Sequence, residues 1–110
     1  MLQGVEYVTY RVMQAGRAVP WGESWGRIAG TWQRKLRGVR GVRIDVSPRT
    51  GSIMEYIIDD VGYIAYVERV SPDLKITITG VGLTHEGQYT EQVMDHTIWR
   101  ELRPVFITVS

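Results

Sequence analysis

The sequence predicts an α+β domain in which two N-terminal helices pack on an antiparallel sheet of about six strands. Three observations carry that prediction. Apolar residues recur at helical spacing up to about residue 37. From residue 42 onward, short runs rich in Val, Ile and Tyr replace that period. Turn residues, notably Pro48-Arg49-Thr50-Gly51 and Ser71-Pro72-Asp73, separate the runs, and the second turn is short enough for its flanks to pair as a hairpin.

Taken in order, Leu2, Val5, Val8 and Val12 form one apolar stripe on a helix over 3–13. The same stretch is rich in β-branched residues, which also suit a strand, and propensity alone does not choose. Gly16, Pro20 and Gly22 mark a loop. Ser24 is placed to cap the next helix. Along that helix Trp25, Ile28, Ala29, Trp32 and Leu36 share one face. Gly38 and Gly41 end it. Strands are expected over 42–46, 52–58, 63–70, 75–79, 89–95 and 104–109. Asp59 and Asp60 read as a turn, because adjacent strand residues would point to opposite faces and could not act as an acid pair. No repeat, linker or low-complexity segment interrupts the pattern, so residues 1–110 are expected to form a single domain.

Composition narrows the chemistry. Apolar residues are 44% and charged residues 23%, which is ordinary for a globular protein. With no cysteine, disulfides, thiolate metal sites and thiol nucleophiles are all excluded. No run approaches the eighteen apolar residues of a membrane span, so membrane insertion is not expected. The N-terminus lacks a charged-then-apolar leader pattern; export, if any, is expected through lysis or assembly into a particle. The net charge of +1 conceals a division. Residues 1–43 hold eight Lys/Arg against two Asp/Glu, and residues 44–110 hold five against ten. The basic half, with Arg27, Arg34, Lys35, Arg37, Arg40 and Arg43, has no nucleic-acid motif. It reads as a solvated face or a contact surface for an acidic partner, and nucleic acid is not the expected ligand.

Several runs together resemble the CHAP family, the cysteine, histidine-dependent amidohydrolase/peptidase domains of papain-like fold. Gln3-Gly4-Val5-Glu6-Tyr7-Val8 is similar to the family's Q-C-V-x-Y-V, with Gly4 where the cysteine stands. Gly16, Val19-Pro20, Trp25-Gly26 and Trp32 resemble its G-x-x-W-G-N-A-x-x-W. Pro48, Gly51 and Ile53 match P-x-x-G-x-I. Gly62-Tyr63-Ile64-Ala65-Tyr66-Val67-Glu68 matches G-H-V-A-Y-V-E and is the most specific block. Ile76-Thr77-Ile78-Thr79-Gly80-Val81-Gly82 resembles I-T-V-S-E-x-N. The resemblance implies a papain-like architecture and descent from enzymes that cleave peptidoglycan.

Carried over by position, the nucleophile falls on Gly4, the general base on Tyr63, and the acidic and amide helpers on Gly80 and Gly82. Placing the cysteine at Glu6 instead would not restore a thiol. A thiol mechanism needs a thiolate beside an imidazolium. Glycine supplies no side chain, and a phenol's reference pKa of about 10 compares with about 6.5 for imidazole. The resemblance therefore implies a scaffold whose catalytic groups are replaced, a pseudoenzyme. Tyr63 would plug the emptied cleft, and the glycines would let another chain's backbone approach it.

Other chemistries have less behind them. His85 and His96 have Glu86, Glu91 and Asp95 nearby in sequence, but no H-E-x-x-H spacing, so no metal or cofactor is expected. Ser24 or Thr9 as nucleophile lacks an identifiable base. Among the tryptophans, Trp25 and Trp32 are expected in the core, and Trp21, in a loop, is the candidate for exposed recognition. The expected role is a structural or assembly module of a bacteriophage virion, in a tail or baseplate. Its partners would be other virion proteins in an oligomeric assembly. A peptidoglycan-binding module, or a hydrolase with unfamiliar residues, is the alternative.

Overall fold

A computed structural model describes residues 3–22 and 25–110. Its elements are α1 (Gly4–Gln14), α2 (Trp32–Leu36), β1 (Val42–Asp45), β2 (Ile53–Ile58), β3 (Val61–Val70), β4 (Ile76–Val81), β5 (Tyr89–Met94), α3 (His96–Glu101) and β6 (Val105–Val109). All strand pairings are antiparallel, in the order β1-β6-β2-β3-β4-β5. The last strand thus inserts between the first two. This is the α+β architecture with six antiparallel strands that the sequence pattern predicts. No helix among the described residues is long and apolar enough to cross a membrane.

The central strands are covered on both faces, and the two-residue period of β3 shows how. Ile64 and Tyr66 join Tyr7, Val8 and Val12 of α1, Trp32 and Leu36 of α2, and Ile107 in one core cluster. Ala65 and Val67 face the other way and join Met54, Tyr56, Phe106 and Trp99 of α3. Two layers of helix therefore sandwich one sheet.

Helix wins over strand at α1 because its buried residues follow a helical stripe, not an alternation. The helix stops at Gly16, which takes φ +79°. There Gly16 N–H donates to the Met13 carbonyl and Arg17 N–H to the Val12 carbonyl, a Schellman closure that uses glycine's access to the left-handed region. The β2–β3 hairpin turns on Asp59 and Asp60, at φ +50° and +65°, with Ile58 opposite Val61. Two successive positive φ values match the right-handed strand twist, and aspartate tolerates them better than most residues.

Two expectations are corrected. The helix predicted from Ser24 to about residue 37 shrinks to the five residues of α2. Ser24 itself lies outside the described residues. Trp25 and Ile28 are not part of a buried helix face; they are 38% and 69% exposed. The cause is a capping group from elsewhere in the chain. Glu55, fully buried on β2, accepts hydrogen bonds from the backbone N–H of Gly30 (2.9 Å), Trp32 (2.8 Å) and Gln33 (2.9 Å). That carboxylate satisfies the free donors of a helix beginning at Trp32 and fixes the start there. The second correction is α3, which fills a gap left between two predicted strands. It is anchored by Trp99, 4% exposed.

Candidate functional site

The N-terminus of α1 abuts the end of β4 and the start of β3. An open hollow of about 400 Å³ lies there, bordered by Gln3, Gly4, Tyr63, Gly82 and Thr84 among others. Three of the four positions singled out by the resemblance, Gly4, Tyr63 and Gly82, thus border one concavity. Gly80 does not border it. A Cβ at Gly80 would sit 2.6 Å from Leu83 Cδ1, so Leu83 occupies that space.

Each position has a local reason for its residue. A Cβ on Gly4 would lie 2.8 Å from the Val81 carbonyl oxygen, so the first turn of α1 packs backbone to backbone against β4. Gly62 is tighter: a Cβ there would fall 2.1 Å from the Ala29 carbonyl oxygen, because the loop before α2 crosses the start of β3. Tyr63 borders the hollow, but its ring stacks on Tyr56 at 5.3 Å and 15° and packs with the Trp99 cluster. Burial, and then the neighbouring Tyr63, push the Tyr56 phenol up to about 12. That stack belongs to the sheet face opposite α1, so Tyr63 does not simply plug the hollow.

The polar side chains of the lining include Gln3, Thr84 and Glu86, and the lining contains no thiol and no imidazole. His85 stands beside it with Nδ1 3.4 Å from Thr84 Oγ1, an exposed and weak contact. No group of three or more His, Asp or Glu among the described residues is placed to hold a metal ion. Trp21 is half-buried. Its ring meets Trp32 edge-on at 4.6 Å and Trp25 at 6.5 Å, and Arg27 lies over it at 5.5 Å. Its indole N–H is buried and has no partner among the described residues.

One to two turns further along α1, the same interface is densely polar. Arg11 grips Glu68 of β3 with two hydrogen bonds, Nε to Oε2 at 3.0 Å and Nη2 to Oε1 at 2.6 Å. Thr79 Oγ1 donates to Glu68 Oε2 at 2.7 Å, and Tyr7 donates to Thr79 at 2.8 Å. The Arg11 guanidinium lies over the Tyr66 ring at 4.6 Å. Burial opposes the charged form of Glu68. The hydrogen bonds from Arg11 and Thr79 together outweigh it, and its carboxyl sits below the usual carboxylate range. The bond to Glu68 raises Arg11 in turn. Glu55 and Glu68 are the anchoring residues that sequence reasoning missed. Their signal was a carboxylate inside an apolar strand run, IMEYII and GYIAYVERV, at the parity that faces inward.

No protein-family model and no curated protein matches the chain. Among solved structures, the crystal structure of N-acetylmuramoyl-L-alanine amidase from Staphylococcus aureus matches with a TM-score of 0.80 over 98% of this chain, at 21% identity. The fold is amidase-like. The chain spans 30% of that amidase's chain.

Proposed function

We propose that this chain is a CHAP-like domain without hydrolytic activity, used as a structural or assembly module in a bacteriophage particle. The observation that carries the reading is the hollow at the α1 N-terminus. By the family resemblance, nucleophile, base and orienting groups fall on Gly4, Tyr63, Gly80 and Gly82, and three of these, Gly4, Tyr63 and Gly82, border that hollow. Gly4 packs so closely on Val81 that a side chain would displace backbone. The divided charge of the chain supports docking between oppositely charged neighbours. A clearing assay on purified cell walls is the first test: no loss of turbidity is expected, and sustained clearing that substitution at Thr84, His85 or Glu86 abolishes would overturn the reading. Co-purification with a ring or particle of defined symmetry is the positive outcome.

A second reading is a non-catalytic peptidoglycan-binding module. The open hollow, with its glycine backbone, favours it. Retention on purified walls would select this reading over assembly.

A further inference from the structure

On the sheet face opposite α1, a second hollow of about 520 Å³ opens between α3, the end of β1 and the β3–β4 turn. Its size is that of a small-ligand pocket. Val46 and Leu74 contribute exposed apolar surface over the buried Trp99 and Pro104, and His96, Arg100 and Arg103 contribute polar side chains. The Trp99 indole is held from behind: its N–H donates to the Leu74 carbonyl at 2.7 Å, and its ring packs edge-on against Phe106 at 5.4 Å.

Two features distinguish this hollow from an accidental groove. Arg100 and Arg103, exposed and among the described residues without an ion pair or side-chain hydrogen bond, as Arg34, Arg37, Arg40 and Arg69 also are, both line this one hollow. Two free guanidinium groups beside apolar walls are an incomplete arrangement. The second feature is backbone conformation. Only four described non-glycine residues have positive φ, and two belong to the Asp59-Asp60 turn. The other two, Leu74 at +65° and Arg103 at +50°, both line this hollow. Arg103 follows the α3 cap, where its N–H closes on the Arg100 carbonyl, a place that glycine fills at lower cost. Backbone strain held at a concave, charged surface points to a function for the side chains it positions.

We propose that this hollow binds a carboxylate with an adjoining apolar group, as presented by a polypeptide ending in a large apolar residue. The planar forks of Arg100 and Arg103 suit a carboxylate, and the apolar wall beside Trp99 takes the neighbouring side chain. The site lies on the other face of the sheet from the α1 hollow, so it is independent of any wall-directed role.

The test is an NMR titration of the intact chain, following the Trp99 indole N–H. The probes are N-acetyl-phenylalanine, its amide, and a hexapeptide with a C-terminal phenylalanine. Saturable shifts with the two acids, and none with the amide, are expected. A tighter hexapeptide identifies a polypeptide as the source; equal affinity identifies a free small acid. Equal response to acid and amide, or no saturation by about 10 mM, overturns the proposal. Arg100→Ala is expected to weaken binding about tenfold or more. Arg103→Gly separates binding from folding: it relieves the left-handed backbone, so the melting temperature should hold or rise while binding falls to a similar degree. Unchanged affinity in Arg103→Gly would remove the arginine from the site.

Discussion

Helix α1 meets the sheet in two places, and the two are built differently. Around Tyr7 and Arg11 the contact runs through side chains: an ion pair, a threonine bridge and a buried phenol tie the helix to β3 and β4. At Gly4 the contact is backbone against backbone, beside an open hollow. Glu55 repeats the first pattern on β2, where one carboxylate collects three N–H groups of the loop and first turn of α2. The comparison teaches that the side-chain forces holding this architecture do not pass through the α1 hollow. Framework and site are separable, and side chains can leave the hollow without loosening the fold.

The sharpest way to break that comparison is at Glu55. Glu55→Ala would leave one buried and two part-buried N–H groups without their acceptor, and a cavity at a fully buried position of β2. A loss of about 4 kcal/mol is expected, read as a collapse of the denaturation midpoint. A loss below about 1 kcal/mol would mean that α2 is held by Trp32 and Leu36 packing alone.

Glu68 comes next. Glu68→Gln breaks a bidentate pair that is partly open to solvent, so about 2 kcal/mol is expected, less than for a buried pair. The pH dependence adds a sign. Folded Glu68 holds its proton less tightly than the unfolded chain does. Its contribution is therefore present above roughly pH 4.3 and is lost as the pH falls through the lowered folded value. Below that range the wild type and Glu68→Gln should converge in stability; parallel curves down to pH 2 would discard the linkage.

Much of this framework was legible from sequence. Strands β1 to β6 follow from Val, Ile and Tyr runs because a buried sheet selects β-branched and aromatic residues, and the turns between them carry Pro, Gly or Asp for local conformational reasons. The second helix was misjudged because Trp25, Ile28 and Trp32 imitate a helical stripe, while the group that decides where α2 starts, Glu55, lies more than twenty residues away in the chain. A non-local cap leaves no trace in a local window. Helix α3 was invisible because six residues give too little periodicity to recognise, and the hollow beside it was invisible for the same reason. The α1 hollow was reached only through family resemblance; no spacing rule places Gly4, Tyr63 and Gly82 together. Gly80 marks the limit of that carry-over, since Leu83 covers it.

The bare side of the comparison yields effects no larger than that of Glu68. Gly4→Ala should cost about 2 kcal/mol, because its Cβ meets the Val81 carbonyl and either the helix start or β4 must move. The expected signature is faster amide exchange confined to the first turn of α1 and the end of β4. A neutral Gly4→Ala would show that the helix start is mobile enough to admit a side chain, and hence that a nucleophile could once have stood there without strain.

Gly82→Asn should be the mildest change of all. Gly82 has φ +80°, and a Cβ there would meet nothing closer than 4.0 Å, so space does not oppose substitution. What opposes it is the left-handed backbone, which costs an ordinary residue about 1–2 kcal/mol and asparagine less. A loss of about 0.5 kcal/mol is expected for Gly82→Asn, and about twice that for Gly82→Ala. The difference between the two isolates backbone conformation from packing. If Asn and Ala are equally costly, the Cβ itself is being resisted and the hollow is narrower than it stands here. If Asn is milder, the rim of the hollow accepts a polar amide at that position, and glycine is there by backbone preference and not for lack of room.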